Sequence, residues 1–336
     1  MKILITGGAG FIGMHLARVL ANDKSNKILV IDSLKDSNAS ELPKLRRKVL
    51  LDSGIQFVES DLSHPESYIP IEFLENLDSL IHLAAWPGVS MGQRYPSLYY
   101  RNNIQAFGKI LDLVEMHKPR KFLFASSSSV YGDQAVSGKV SETDATGLNL
   151  KSYYASTKWA NEIMAKSLCT ISKIPTVALR FFTVFGSYGR PDMAYWKFAE
   201  KLSRNEVIEF WGENGGRRNF THISTVIDAI SLILKREISD YNPVNIAAGP
   251  SISTKEFCDS IARSLGKEGY AFVQKPRPNF DVEVTSANTE KLENLVGKLN
   301  APDLESSTSE FVEWYLKMDN KINSKKIQRR TSFLGD

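Results

Sequence analysis

The 336-residue chain predicts an α/β fold, with a doubly wound parallel sheet followed by a smaller, interleaved C-terminal α/β lobe. Three observations predict this fold. Short apolar segments alternate with helical segments in the first half, a glycine-rich turn joins the first strand to the first helix, and the alternation loosens after about residue 180. Short apolar runs separated by amphipathic helices are typical of parallel strands that are covered on both faces.

The first half contains the predicted strands and the helices that connect them. The strands share short runs of apolar residues and lie at 2–6, 27–32, 55–60, 79–85, 121–126 and 176–182. The connecting helices have apolar residues at helical spacing, most clearly at 11–22, 98–116 and 153–172. In the second half, loops that contain Gly and Pro separate shorter elements, and helices are expected at 223–234, 254–265 and 304–316.

This pattern divides the chain into two domains and a tail. We expect the first domain at residues 1–180 and a smaller lobe at 181–320 that interleaves with it. Residues 321–336 are basic and polar, and we expect them to form a mobile end. The alternative for this tail is a binding segment for an acidic partner.

Composition excludes several classes of function. A net charge of +4 is too small to indicate nucleic-acid binding. The two cysteines, Cys169 and Cys258, are far apart, and the five histidines form no cluster, so we expect no metal. No apolar run approaches the ~20 residues that span a bilayer, and the first residues lack the long apolar core of a signal peptide. We therefore expect a cytoplasmic protein without a membrane span.

The glycine-rich turn predicts a dinucleotide site. The segment TGGAGFIG follows the first strand and opens the first helix, with Gly7, Gly10 and Gly13 at GxxGxxG spacing. Glycines let backbone N–H groups approach a pyrophosphate, which the positive end of the helix dipole also favours. Asp32 ends the second strand, 19 residues after Gly13, where a carboxylate accepts from ribose hydroxyls and disfavours a 2′-phosphate. NAD is therefore predicted over NADP, and a turn that only connects two elements is the alternative.

A tyrosine and a lysine on one helical face are candidates for acid–base chemistry. Tyr154 and Lys158 are four residues apart in YYASTK, so they lie on the same side of a helix. A tyrosine acts as a base near neutral pH only if its pKa falls from about 10. A nearby cation lowers the pKa, and a fall of three units needs roughly 4 kcal/mol. We expect Lys158 and an oxidised nicotinamide to supply it together.

Four consecutive serines, Ser126 to Ser129, follow the apolar run FLFA. Serines that follow a strand commonly cap the next helix or form a polar loop. From these residues alone, a polar loop that caps the next helix is the commoner role.

Together, these segments resemble the extended short-chain dehydrogenase/reductase family, whose cofactor domain has a Rossmann-type doubly wound sheet. The resemblance covers nearly the whole chain and rests on TGGAGFIG, IHLAA, NNI at 102–104, SSSSVYG, YYASTK, LRFFTVFG and RRNFTHI. Within the family, AAWPGVS, ASSSSVYG and RFFTVFGSYGRPDMA are most similar to nucleotide-sugar 4-epimerases that act on UDP-glucuronate.

The resemblance implies three sets of site residues. The catalytic residues would be Ser127, Tyr154 and Lys158. The NAD-binding residues would be Gly7, Gly10, Phe11, Ile12, Gly13, Asp32, Ser33, Asp61, Leu62, Leu83, Ala84, Ala85, Asn103, Tyr154 and Lys158. The residues that bind the UDP-sugar would be Ser127, Ser128, Ser129, Tyr154, Thr183, Arg190, Arg218 and Arg277.

Within the third set, Ser128, Ser129, Thr183 and Arg190 would face the sugar carboxylate, and the two later arginines would bind the diphosphate. We expect the uronate to be preferred because a neutral sugar would leave Arg190 partly unpaired. A loop cap is the alternative role for Ser128, and a surface ion pair is the alternative for Arg190. Asp61 could contact adenine or cap the end of its strand.

The chain also departs from the family pattern at three positions. Asn219 stands where the family usually has Asp, and Phe280 where it usually has Gly, which affects the register of Arg277. Ser90 stands where uronate epimerases often have Arg, and Arg94 is the possible substitute.

The implied function is NAD-dependent 4-epimerisation of UDP-glucuronate to UDP-galacturonate through a transient 4-keto sugar. The main alternative is a 4-epimerase of a neutral UDP-sugar, either UDP-glucose or UDP-N-acetylglucosamine. A UDP-glucuronate decarboxylase, a sugar 4,6-dehydratase and a non-catalytic NAD-binding sensor are further alternatives. The first two relatives usually have carboxylates near Ser128 and Ser129. The resemblance also suggests a homodimer that packs through helices 98–116 and 153–172.

Overall fold

The structure is a computed structural model, and it describes residues 1–35, 40–279 and 281–332. The strands are β1 (Lys2–Thr6), β2 (Lys27–Asp32), β3 (Gln56–Glu59), β4 (Ser79–His82), β5 (Lys121–Ser127), β6 (Thr176–Phe181), β7 (Thr183–Phe185), β8 (Ile208–Trp211), β9 (Arg217–His222), β10 (Tyr241–Ile246), β11 (Ser251–Ser253), β12 (Phe272–Lys275) and β13 (Val284–Thr285). The α-helices are α1 (Phe11–Ala21), α2 (Leu42–Asp52), α3 (Ile71–Leu74), α4 (Val89–Arg94), α5 (Pro96–Tyr99), α6 (Ala106–His117), α7 (Tyr153–Ser172), α8 (Ala194–Ser203), α9 (Ile223–Lys235), α10 (Thr254–Ser264), α11 (Glu290–Val296) and α12 (Leu304–Ser332). A π-helical segment, Tyr100–Gln105, joins α5 to α6, and 3-10 turns lie at Ser128–Ser137, Glu142–Asp144 and Glu213–Gly215.

Seven parallel strands form the main sheet in the order β10-β6-β5-β4-β1-β2-β3. In β1, Ile3 is paired with Ile28 of β2 on one side and with Ser79 of β4 on the other. The strand order therefore reverses between β1 and β4. Such a reversal leaves a crevice at the carboxyl ends of the central strands. The predicted doubly wound parallel sheet is confirmed.

The two faces of this sheet are buried under different helices, because successive side chains of a strand point to opposite faces. Ile3 and Ile5 belong to a core that includes Met14 of α1 and Ile230 of α9. Leu4, between them, belongs to a second core that also includes residues of α6 and α7. Burial on both faces explains why β1 has three consecutive apolar residues, Ile3 to Ile5, rather than an alternating pattern.

The edge strand β10 comes from the second half of the chain and was not predicted. It pairs in parallel with β6, with Pro243 opposite Ala178. Proline cannot donate to a ladder, so it occurs in sheets mainly at an edge. The same proline is why the sequence did not predict a strand here. Because β10 and α9 follow the strands β7 to β9 yet pack in the first domain, the interleaving of the two parts is confirmed.

The C-terminal lobe is built around β9. This strand pairs in parallel with β7 and β13 and antiparallel with β11, while β8 and β12 form a separate parallel pair. Phe220 of β9 stacks on Phe257 of α10, with ring centroids 3.9 Å apart. These aromatic rings join a core with Tyr195 of α8 and Phe311 of α12. The lobe's sheet therefore holds the start of β9, where Arg217 and Arg218 lie, against the first domain's crevice.

The predicted tail begins within α12, which continues to Ser332, and residues 333–336 lie outside the described residues, as does Phe280. Among the described helices, none is both long and apolar enough to cross a membrane. Within the same part of the chain, no group of three or more His, Cys, Asp or Glu side chains is placed to hold a metal ion.

Candidate active site

A cavity of about 720 Å³ lies at the carboxyl ends of the central strands and extends to the C-terminal lobe. It brings together most of the residues that the sequence singled out. Those on its wall are Gly7, Gly10, Phe11, Ile12, Gly13, Asp32, Ser33, Asp61, Leu62, Leu83, Ala84, Ala85, Ser127, Ser128, Ser129, Tyr154, Lys158, Thr183, Arg190 and Arg218. Asn103 and Arg277 lie outside this lining. The dinucleotide turn and the tyrosine–lysine pair therefore open onto one space.

The glycine-rich turn fits closely against the end of β4. Gly7 has φ +72°, and a Cβ atom there would lie 2.4 Å from the backbone nitrogen of Ala84. A Cβ atom on Gly13 would lie 2.4 Å from the carbonyl oxygen of Gly7. At the start of α1, Gly10 makes no side-chain cap, so the first N–H groups of the helix are left for a ligand. The turn thus has the shape of a phosphate cradle.

Asp32 lies on the cavity wall beside this turn. Its carboxylate accepts from the N–H groups of Ala9 at 2.9 Å and Leu34 at 2.8 Å. Burial raises the pKa of Asp32, and these two backbone donors and the charge of Arg46 oppose that rise. The site suits a ribose, whose hydroxyl groups donate to a carboxylate.

Asp61 is held by protein groups at the far end of the cavity. Lys35 donates to one carboxylate oxygen at 2.7 Å, and Ser63 donates to the other from its backbone N–H at 2.9 Å. Burial alone would raise the pKa of Asp61, but the bonds from Lys35 and Ser63 lower it. The bond from Ser63 is the local cap that we gave as the alternative, and the adenine contact stays a prediction.

The predicted catalytic residues lie where β5 ends against α7. Lys158, only 2% exposed, donates from Nζ to the carbonyl oxygen of Ala125 at 2.9 Å. The Ser127 hydroxyl accepts from the N–H of Ser129 at 3.1 Å, and it lies close enough to Tyr154 to lower the pKa of that tyrosine. Since Ser127 both caps the next turn and contacts the tyrosine, the two roles expected for a serine at this point belong to one residue.

Burial dominates the electrostatics of Tyr154. It raises the pKa of Tyr154 above its usual value, and the nearby Ser127 hydroxyl and the charge of Arg190 only partly oppose this. The Nζ of Lys158 is 5.9 Å from the tyrosine ring centroid and donates to the carbonyl oxygen of Ala125. Burial lowers the pKa of Lys158 to about 8. A cation bound beside Tyr154 would favour its tyrosinate form, and the shared role expected for Lys158 and oxidised nicotinamide stays a prediction.

The other serines have separate roles. Ser126 is buried and donates to Glu162 of α7 at 2.5 Å. Glu162 in turn pairs with Arg180 of β6 at 2.7 Å, and both side chains are only 3% exposed. This buried network links α7 to β5 and β6 of the main sheet. Ser128 and Ser129 are half-buried and line the cavity, as does Thr183.

Arg190 reaches the cavity but already has an acidic partner. Its Nε and Nη2 groups donate to the two carboxylate oxygens of Asp192 at 3.0 and 2.5 Å. Its backbone N–H donates to the Tyr195 hydroxyl at 2.9 Å. Asp192 therefore neutralises the charge of Arg190 within the protein, and the expected preference for a uronate stays a prediction.

The two predicted diphosphate-binding arginines meet at one carboxylate. Arg218 and Arg277 donate to different oxygens of Asp281, at 2.9 and 2.6 Å. Burial lowers the pKa of Arg218, Asp281 opposes this, and the nearby charge of Arg277 adds to it. Two guanidinium groups around one carboxylate leave a net positive charge, which suits a bound anion.

The side chains of two buried asparagines, Asn103 and Asn219, hydrogen-bond backbone groups and do not line the cavity. The Asn103 amide accepts from the N–H of Trp86 at 2.7 Å and donates to its carbonyl oxygen at 3.0 Å, while Asn102 is on the cavity wall. Asn219 accepts from the N–H of Ala287 at 2.7 Å and donates to the carbonyl of Gly249 at 2.8 Å. An amide provides both an acceptor and a donor, which accounts for Asn at position 219.

Two residues that sequence reasoning missed also line the cavity: Asp192 and Arg46. The acid two residues after Arg190 in GRPD was a signal for the first. No local sequence pattern indicated Arg46, because its guanidinium group contacts residues that are 142 and 143 positions further along the chain. Arg94, the substitute considered for Arg at position 90, is exposed and not on the cavity wall, and the side chain of Ser90 lies outside the described residues.

Comparison with known proteins agrees with this geometry. The model of the NAD dependent epimerase/dehydratase family matches residues 3–247. The chain belongs to this family. It is 31% identical to UDP-glucuronate 4-epimerase 4 of Arabidopsis thaliana over 334 residues, which are 94% of this chain and 75% of that protein. It is 35% identical to the uncharacterized UDP-glucose epimerase YtcB of Bacillus subtilis over 275 residues, which are 80% and 83% of the two chains.

A solved structure extends the likeness to three dimensions. The UDP-glucuronic acid 4-epimerase of Bacillus cereus, in complex with UDP-glucuronic acid and NAD, superposes with a TM-score of 0.86 at 28% identity. The match covers 95% of this chain and all of that one. The similarity therefore includes both the cofactor domain and the C-terminal lobe.

Proposed function

We propose that this family member is an NAD-dependent UDP-sugar 4-epimerase that interconverts UDP-glucuronate and UDP-galacturonate. The observation that carries the proposal is the meeting, in one cavity, of the dinucleotide turn, the Ser127–Tyr154–Lys158 group and Arg218, which shares Asp281 with Arg277. The similarity to two proteins named as UDP-glucuronate 4-epimerases supports the choice of sugar.

The residues present fit NAD. The first N–H groups of α1 and the close packing of Gly7 and Gly13 suit a pyrophosphate, and Asp32 would accept from the ribose hydroxyl groups. A carboxylate at that position disfavours a 2′-phosphate. Bound NAD supplies a hydride acceptor and donor and, when oxidised, a positive charge.

Tyr154 is placed to take the proton from the sugar 4-hydroxyl group and to return it later. Ser127, which lines the cavity close to Tyr154, would bond the same sugar oxygen. Burial raises the pKa of Tyr154, so the positive charge of oxidised NAD would assist removal of the proton.

The arginine pair explains how the sugar can turn while the nucleotide stays bound. Arg218 and Arg277 would hold the diphosphate, and the 4-keto sugar would rotate about its link to that anchor. Tyr154 would return the proton to the sugar oxygen once the turned sugar presents its other face to the cofactor site. The product is an isomer of the substrate.

The carboxylate of the sugar would meet Ser128, Ser129 and Thr183, with Arg190 at the same end. The carboxylate of Asp192 accepts hydrogen bonds from Nε and Nη2 of Arg190. The Nη1 group of Arg190 makes no hydrogen bond with any described residue. A third donor is therefore left for the substrate. Holding the carboxylate by several donors would keep its bond to the sugar out of alignment with the 4-keto group and so limit loss of carbon dioxide.

A second candidate is a 4-epimerase of a neutral UDP-sugar. The Arg190–Asp192 pair favours it, since a neutral sugar would leave no unpaired charge. The likeness to YtcB, named as a UDP-glucose epimerase, agrees with it. A 4,6-dehydratase or a decarboxylase is less well supported, because Ser128 and Ser129 stand where those enzymes usually have carboxylates.

A substrate comparison tests the proposal. We expect kcat/KM for UDP-glucuronate to exceed that for UDP-glucose and UDP-N-acetylglucosamine by about a hundredfold, as one or two charge-assisted hydrogen bonds would provide. The Arg190→Ala variant should lose most of this preference. A preference of the wild type for a neutral sugar would establish the second candidate, and no turnover of any UDP-sugar would favour an NAD-binding sensor.

The proposal includes a cytoplasmic homodimer. Apolar side chains on the outer surface of the π-helical segment, α6 and α7 are well exposed in the single chain: Tyr100 at 60%, Met116 at 71%, Ile163 at 52% and Ile171 at 80%. Burying them against a second copy would remove apolar surface from water. Light scattering on the purified protein should give twice the 37.6 kDa mass of one chain.

A further inference from the structure

Arg46, from α2, is buried in the cavity wall with only 3% of its surface exposed. Buried arginines are rare unless their hydrogen-bonding groups are satisfied. The contacts of its guanidinium group therefore indicate the role of Arg46.

The guanidinium group joins two segments that are far apart in the chain. Nη1 donates to the carbonyl oxygen of Ala9, in the cofactor-binding turn, at 3.3 Å. Nε and Nη2 donate to the carbonyl of Tyr188 at 3.0 and 2.7 Å, and Nη2 also donates to that of Gly189 at 3.0 Å. One side chain thus contacts both the turn and the segment 186–190, which we call the Arg190 loop.

The Arg190 loop has a conformation that requires support. Tyr188 has φ +61°, which is uncommon for a residue other than glycine. A Cβ atom on Gly189 would lie 1.8 Å from the Tyr195 hydroxyl oxygen, so the loop passes very close to α8. The bonds from Arg46 reach the two residues that immediately precede Arg190. Their loss would allow the loop, and with it the guanidinium group of Arg190, to move.

On the other side, Arg46 acts on the cofactor turn. The N–H of Ala9 donates to the carboxylate of Asp32 at 2.9 Å, while its carbonyl accepts from Arg46. The positive charge of Arg46 also opposes the rise that burial causes in the pKa of Asp32. Arg46 therefore holds Ala9, whose N–H group in turn supports the carboxylate of Asp32, the proposed ribose-binding residue.

We propose that Arg46 is a positioning residue that joins the cofactor-binding turn to the Arg190 loop, so that NAD binding and selection of the sugar both depend on it. The sugar half of this inference rests on the proposed function. The cofactor half rests on the turn and Asp32 alone.

The test compares Arg46→Met and Arg46→Lys with Arg47→Met. Arg47 is the adjacent residue on α2, and its side chain makes a surface ion pair with Glu59 at 3.1 Å, which makes it a matched control. Two quantities are measured: the NAD concentration that gives half-maximal activity, and the ratio of kcat/KM for UDP-glucuronate to that for UDP-glucose.

We expect Arg46→Met to raise the NAD requirement and to lower the sugar ratio, each by about tenfold or more, because hydrogen bonds from a charged group are lost on both sides. Arg46→Lys keeps the charge but reaches fewer carbonyl groups, so its effects should be smaller and in the same direction. Arg47→Met should change both quantities less than about twofold. Adding Arg46→Met to an Arg190→Ala variant should lower the sugar ratio little further, because coupled residues are not additive.

Unchanged NAD requirement and unchanged sugar ratio in a folded Arg46 variant would overturn the inference, as would a loss confined to kcat or to thermal stability. If Arg46→Met does not fold, Arg46→Lys decides the question on the same two quantities. If the wild type prefers UDP-glucose, the proposed substrate is wrong, yet the inference still requires the Arg46 variants to change both the ratio and the NAD requirement.

Discussion

The Glu162→Gln substitution is expected to destabilise the protein far more than the loss of an exposed carboxylate. One oxygen of Glu162 accepts from Ser126 at 2.5 Å and from Arg180 at 2.9 Å, and the other accepts from Arg180 at 2.7 Å and from Tyr241 at 3.1 Å. Glutamine replaces one of these acceptors with a donor. It also leaves the buried charge of Arg180 without a carboxylate.

Breaking a buried ion pair from one side costs about 3–5 kcal/mol. With an unfolding entropy of about 2.1 cal/mol/K per residue over 336 residues, that corresponds to a fall of roughly 4–7 °C in the midpoint of thermal unfolding. The Glu200→Gln variant is the matched control, because Glu200 pairs with Arg204 at the same 2.7 Å but is 38% exposed. Its expected cost is only about 0.5 kcal/mol.

Thermal unfolding followed by circular dichroism measures both variants beside the wild type. Because Glu162 lies on the helix that carries Tyr154 and Lys158, we also expect a lower kcat at temperatures where the variant is folded. Equal midpoints for the two variants, or an unchanged midpoint for Glu162→Gln, would refute the reasoning that burial makes this pair indispensable.

Three further predictions follow from the site and the core. Tyr154→Phe should bind NAD but lose about two to four decades of kcat, whereas Tyr153→Phe, at an exposed neighbour, should keep it; near-normal turnover of Tyr154→Phe would reject the base. Gly13→Ala should weaken NAD binding at least tenfold by fluorescence titration, since its Cβ would lie 2.4 Å from the Gly7 oxygen, while Gly108→Ala meets open space and should not. Burial lowers the pKa of His82 to about 3 and that of His15 to about 4, so the unfolded state, with histidine near 6.5, binds more protons as the pH falls below 6.5. Urea denaturation should therefore show lower stability at pH 5 than at pH 7, with a weaker dependence in His15→Gln, and equal stability at both values would contradict this.

The sequence predicted the first domain well because its signals are local. The strands from β1 to β6 each contain two or more consecutive apolar residues, and the turn at Gly7 to Gly13 has a spacing that few other structures require. The strands of the C-terminal lobe are only two to six residues long, too short for a recognisable alternation. β10 was missed for a different reason, since Pro243 is tolerated only because the strand lies at the sheet edge.

At the site, the sequence identified the chemical groups but not their protein partners. Tyr154 and Lys158 lie on one helical turn, so their relation could be predicted. The pairing of Arg190 with Asp192 and the contacts of Arg46 depend on the fold, which brings a loop 142 residues away onto α2. The electrostatics depended on burial as well, because desolvation outweighs the neighbouring charges at Tyr154.

The most direct test of the central claim follows a single hydrogen atom. The protein is incubated in ordinary water with UDP-glucuronate that carries deuterium at carbon 4, and the products are examined by NMR and mass spectrometry. The proposed mechanism predicts UDP-galacturonate of unchanged mass with the deuterium still at carbon 4, because the hydride removed from one face is returned to the other without exchange. Loss of the deuterium to solvent, or a product lighter by carbon dioxide or water, would contradict the account.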